Sequence, residues 1–60
     1  MSRARLVTHA YRYPEGWQEV KRERLTREYA RELIAQGFTL IRARRGFFDV
    51  REVSLSWYVA

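Results

Sequence analysis

The basic residues of this sequence are almost all arginines. Only Lys21 is a lysine among 12 basic residues, and the formal net charge is +5. A guanidinium group binds phosphate or carboxylate in a bidentate manner, so these side chains suit a nucleic-acid backbone or an acidic protein surface. The basic excess lies toward the two ends of the sequence, because residues 15–37 carry equal numbers of acids and bases.

Seven arginines form three candidate groups for such contacts: Arg42, Arg44 and Arg45; Arg22 and Arg24; and Arg3 and Arg5. The first group lies on a predicted strand and the turn after it, where residues two apart point the same way. The second shares a face of another predicted strand, and the third forms a short basic arm. The sequence therefore predicts a contact surface that is rich in guanidinium groups.

Three large aromatic residues stand around the only proline in the stretch "YRYPEGWQEV", residues 11–20. Tyr11, Tyr13 and Trp17 next to arginines are typical of sheets that stack unpaired bases. The same residue types are enriched at protein interfaces. A third alternative is that the helix covers these rings and makes them core. The sequence leaves the three alternatives open.

The residues that most enzymes use are scarce. The sequence has no cysteine and only one histidine, His9, and it contains no glycine-rich phosphate loop. One histidine without cysteine does not make a conventional zinc site, and Asp49 with Glu52 is a thin basis for a catalytic metal. We therefore expect a protein that is not an enzyme and has neither cofactor nor metal.

The segment "YPEGW" predicts a β-hairpin with a three-residue connection, in which glycine takes the left-handed position. In the predicted register Tyr13 pairs with Trp17, and Tyr11 pairs with Glu19. One face would then carry Val7, His9, Tyr11, Tyr13 and Trp17, and the opposite face would carry Leu6, Thr8, Ala10, Arg12, Val20, Arg22 and Arg24. The small residues of the second face favour it as the one that the helix approaches.

The remainder of the sequence predicts one helix and a second pair of strands. A helix over about residues 27–36 has Thr26 as N-cap and Gly37 just after its end. Residues 38–44 predict a strand, Arg45-Gly46 a reversal, and residues 47–59 one long or two short strands. The fold class is thus α+β: a small antiparallel sheet in the order β-β-α-β-β, with one helix packed on one face.

Sixty residues predict a single domain, residues 1–60, with a thin core. Homodimerisation would compensate for that core, and an apolar final strand, which includes Trp57, would offer an edge for pairing. No stretch has the length and apolarity of a membrane span, and the first residues lack the apolar region of a signal peptide. We expect a cytoplasmic protein with no membrane partner.

The hairpin followed by "LTREYARELIAQGFTLIRAR" resembles small phage and mobile-element proteins, such as the short phage inhibitors of host bacterial RNA polymerase. The likeness covers about residues 6–44 and depends on the arrangement of elements, on Gly37-Phe38 and on the strand with Arg42 and Arg44. It implies a non-enzymatic protein that docks on a host protein. Those inhibitors use acidic as well as basic contacts, whereas this sequence is strongly basic, so their target does not carry over.

Two functions follow as expectations. The first is binding of nucleic acid, DNA or RNA, through an arginine-rich sheet surface with Tyr11, Tyr13 or Trp17 near the bases. The alternative is a phage-type interaction module, an inhibitor or adaptor, whose arginines contact an acidic surface of a host protein. Positive charge is the strongest departure from an average composition, and it favours the first.

Overall fold

The computed structural model describes residues 5–59, and Arg3 of the predicted basic arm lies outside them. The elements are β1 (Leu6–Arg12), β2 (Gly16–Arg24), α1 (Arg27–Ala35), β3 (Leu40–Arg45), β4 (Asp49–Ser54) and a 3-10 helix (Leu55–Tyr58). The α+β class is confirmed. The observed order differs from the predicted one by the 3-10 helix at its end.

The four strands form one antiparallel sheet in the spatial order β2-β1-β3-β4. Strands β1 and β3 are central, and α1 carries the chain from the β2 edge across β1 to β3. No helix within residues 5–59 is long and apolar enough to cross a bilayer.

The helix begins and ends where the sequence predicts. The hydroxyl oxygen of Thr26 accepts a hydrogen bond from the backbone N–H of Tyr29 at 3.1 Å. At the other end Gly37 has φ +96°, and a Cβ there would lie 3.1 Å from Cδ of Arg12. Glycine is therefore required both for the left-handed backbone and for the close approach of Arg12.

The core lies between α1 and one face of the sheet. Its buried members come from the helix (Tyr29, Ala30, Leu33), from the strands (Val7, Ala10, Ile41, Ala43) and from Phe38 and Leu55. Two alanines on the sheet leave room for the helix to approach closely. Burial raises the pKa of Tyr29, whose hydroxyl donates a hydrogen bond to the carbonyl oxygen of Lys21.

The predicted hairpin register is wrong near the turn, where residues 13–15 form the connection and Tyr11 pairs with Trp17 instead of Glu19. A β-bulge at Thr8 then shifts the pairing of β1 with both neighbours between Val7 and His9. An extra residue reverses the alternation of faces. Val7, predicted on the open face, is therefore buried beneath the helix together with Ala10.

The strand predicted over residues 47–59 is shorter at both ends in the structure. Phe47 and Phe48 belong to the turn between β3 and β4, and the strand ends at Ser54. Ser54 pairs with Leu40, the first residue of β3, so the chain beyond it has no neighbouring strand. It coils into the 3-10 helix, which buries Leu55 and leaves Trp57 exposed.

Candidate nucleic-acid interface

The face of the sheet opposite the helix, here called the outer face, presents three rows of side chains across the strands. By cross-strand register these rows are Trp17, Tyr11, Leu40 and Ser54; then Glu19, His9, Arg42 and Glu52; then Arg24, Leu6, Arg44 and Val50. Tyr11 and Trp17 therefore share a face with Arg24, Arg42 and Arg44. The alternative in which the helix covers the rings is excluded, because the helix packs against the other face.

Arg24 and Arg44 lie on the two sides of Leu6 in the third row. Strands are about 4.8 Å apart, so the two Cα atoms are separated by roughly 10 Å. Both residues are exposed, and neither has an ion-pair partner within residues 5–59. This row holds two guanidinium groups that are available to a phosphate or carboxylate.

Tyr11, Trp17 and Arg42 hold one another in place at the centre of the outer face. The rings of Tyr11 and Trp17 meet edge to face with centroids 5.6 Å apart. The guanidinium carbon of Arg42 lies 4.5 Å from the centroid of the Trp17 ring, and Arg42 also contacts Glu52 at 3.6 Å. These side chains are half-buried because they pack against one another. They therefore expose less surface to a ligand than the sequence predicts.

Tyr13 and Arg22 stand apart from this central cluster. Tyr13 lies in the turn between β1 and β2 with 82% of its surface exposed. Arg22 is exposed on the edge strand β2, in the stretch opposite the bulge. Both extend the candidate surface toward the β2 side of the sheet.

Three arginines surround one carboxylate where β3 turns into β4. The Asp49 carboxylate forms ion pairs with the guanidinium groups of three arginines, with N–O distances of 3.0 Å to Arg45, 3.3 Å to Arg51 and 3.5 Å to Arg5. Desolvation alone would raise the pKa of Asp49, but the hydrogen bonds and charges of the three guanidinium groups lower it below its ordinary value. The predicted arginines Arg5 and Arg45 are thus engaged in a cluster that keeps a local excess of two positive charges.

The turn that follows β3 carries the most exposed apolar side chains of the described chain. Phe47 is 83% exposed and Phe48 is 97% exposed, with ring centroids 6.4 Å apart. Phe47 also lines a shallow cavity of about 210 Å³ with Leu6 and Arg44, so this aromatic tip continues the third row of the outer face.

Sequence reasoning missed the tip and Arg51. A signal for the tip was present, since two adjacent phenylalanines after Arg45-Gly46 cannot both face the core of an alternating strand. Arg51 had no such signal, because its role depends on the register that brings it beside Asp49. Among residues 5–59 no three side chains that commonly bind metals converge.

Comparison with family models, with curated proteins and with solved structures finds no match for this chain. The likeness to phage inhibitors of RNA polymerase therefore stays an expectation from the sequence. Functional inference has to proceed from the site itself.

Proposed function

We propose that this chain is a non-enzymatic nucleic-acid-binding protein that prefers single strands. Arg24 and Arg44 contact phosphates from the outer face, and Phe47 and Phe48 stack against unpaired bases at its border. This proposal is supported by the continuity of two exposed rings with two guanidinium groups that have no ion-pair partner among residues 5–59.

The charge of the surface supports phosphate as its ligand. Arg44 lies on the outer face, and at the same turn, on the side of the sheet that Ala43 shares, Arg5, Arg45 and Arg51 outnumber Asp49; the whole chain carries +5. Neutralising phosphates releases counterions from nucleic acid, which gives affinity without any pocket. The broad, open form of the outer face suits a strand laid along it.

The exposure of the rings supports stacking on bases that are unpaired. Phenylalanine rings that stand in solvent cost little to cover, and base–aromatic stacking contributes about 1–3 kcal/mol per base. A paired base keeps both faces inside the duplex stack and offers none to an outside ring. Single strands therefore gain from Phe47 and Phe48, whereas a duplex gains from the arginines alone.

The test is fluorescence anisotropy with labelled single-stranded and duplex oligonucleotides of DNA and of RNA at low salt. Arg24→Ala/Arg44→Ala is expected to weaken single-strand binding about tenfold or more, because each loss removes a charge-assisted contact. Arg27→Ala/Arg31→Ala is the matched control, since it removes the same charge from the exposed side of α1. Equal weakening by both double variants would contradict an outer-face site.

A second candidate function is docking on an acidic surface of a host protein. Exposed Phe47 and Phe48 beside arginines are also the residue types that dominate protein interfaces. Absence of oligonucleotide binding at low salt would overturn the first proposal and favour this one.

A further inference from the structure

A second exposed apolar region, here called the C-terminal patch, lies at the opposite end of β4 from the aromatic tip. It consists of an open cavity of about 490 Å³, whose apolar lining comes from Ile34, Phe38, Leu55 and Val59, and of Trp57 beside it. Trp57 follows the cavity-lining Ser56 in the same 3-10 helix and is 81% exposed. An indole and an apolar hollow thus stand next to each other.

The patch is uncharged although the chain is strongly basic. Within the described part of the chain no charged side chain lines the cavity, and residues 53–59 contain none. Two molecules of charge +5 repel each other at most approaches, and this repulsion is smallest where uncharged surfaces meet. A nucleic acid or an acidic protein would gain no electrostatic attraction from this patch.

A two-fold axis can pair an exposed side chain of each copy with a neighbouring cavity of the other copy, and Trp57 and the apolar cavity offer such a pair. If the axis passes between Trp57 and the cavity, each copy inserts its indole into the hollow of the other, and the contact closes as a dimer. Tryptophan is one of the residue types enriched at interface hot spots, which lie in desolvated pockets. A small chain with a thin core also gains stability from a second copy.

We propose that two copies of this chain pair through the C-terminal patch, with Trp57 of each copy seated in the apolar cavity of the other. The partner is a second copy of the chain. The contact is separate from the outer face, so the inference does not depend on nucleic-acid binding.

Sedimentation equilibrium across the micromolar range tests the proposal. The apparent mass is expected to rise with concentration from 7.3 kDa toward twice that value. Trp57→Ser is expected to raise the dissociation constant about 30-fold or more, the effect of a hot-spot residue. Phe48→Ser is the matched control, because it removes another exposed ring from the other end of β4 and is expected to leave association unchanged.

A single-tryptophan variant gives an independent reading. Trp17→Phe leaves Trp57 as the only indole, and its emission is expected to move to shorter wavelength as the protein concentration rises. A species of 7.3 kDa at the highest concentration would overturn the proposal. So would emission that does not change with concentration, or association that Trp57→Ser leaves intact.

Discussion

The two ends of strand β4 carry the same kind of feature in opposite electrostatic surroundings. Before the strand, Phe47 and Phe48 stand exposed close to Arg44, and after it Trp57 stands exposed within residues 53–59, which carry no charged side chain. Exposed aromatic rings indicate a contact in either case. The charge around such rings, more than the rings themselves, therefore indicates the kind of partner.

The aromatic tip and the C-terminal patch both form where strand pairing in the sheet ends. The aromatic tip forms where β3 turns back into β4, and cross-strand pairing brings Arg45 and Arg51 to Asp49 at that turn. The C-terminal patch forms where the pairing of β4 with β3 ends. The chain leaves the sheet there and buries Leu55 under α1. Each surface is therefore built by the fold and separated from the other by the length of one strand.

The strongest test of this comparison is removal of the tip. Phe47→Ser/Phe48→Ser is expected to weaken single-strand binding about tenfold or more, since each stacked base contributes about 1–3 kcal/mol. Duplex binding, dimer formation and the unfolding temperature are expected to change little, because both rings are exposed. Anisotropy, sedimentation and thermal melting of the same preparation measure all of these. Unchanged single-strand affinity would show that the rings do not stack on bases.

Asp49→Asn tests the charge at the turn between β3 and β4, and its expected effect is smaller. At neutral pH the variant loses a carboxylate that three guanidinium groups stabilise, so its thermal midpoint is expected to fall slightly while its nucleic-acid affinity rises severalfold. Because the pKa of Asp49 is lowered in the folded chain, the stabilisation by its carboxylate is complete above the ordinary pKa of about 3.8 and is lost as pH falls through the folded pKa.

Thermal melts of both proteins from neutral pH down through that range check the effect. The two curves are expected to converge in acid. A difference in stability that stays constant below the folded pKa would contradict a role for the ionised carboxylate, and reduced oligonucleotide affinity would contradict a site made of surplus positive charge.

Local signals in the sequence predicted the helix and the class of the fold. Thr26 and Gly37 set the ends of α1, and the spacing of Arg42 and Arg44 placed both residues on one face, as the register shows. Thr8 gave no local sign of a bulge, because a bulge arises from how three strands fit together. That one residue decided which face Val7 joins.

The candidate site, like the fold, could be predicted from the sequence only in part. Arg24, Arg42 and Arg44 do share the outer face with Tyr11 and Trp17. The pairing of those two rings, the capture of Arg45 by Asp49 and the exposure of Trp57 depend on cross-strand register and on where β3 begins. These are non-local properties that no short segment encodes.

The salt dependence of single-strand affinity tests most directly whether the outer face binds phosphates. The logarithm of the association constant is expected to fall linearly with the logarithm of salt concentration, and Arg24→Ala/Arg44→Ala is expected to reduce the magnitude of that slope by about 1.4. Arg27→Ala/Arg31→Ala is expected to leave the slope nearly unchanged. A slope that is the same in the wild type and in Arg24→Ala/Arg44→Ala would contradict the account.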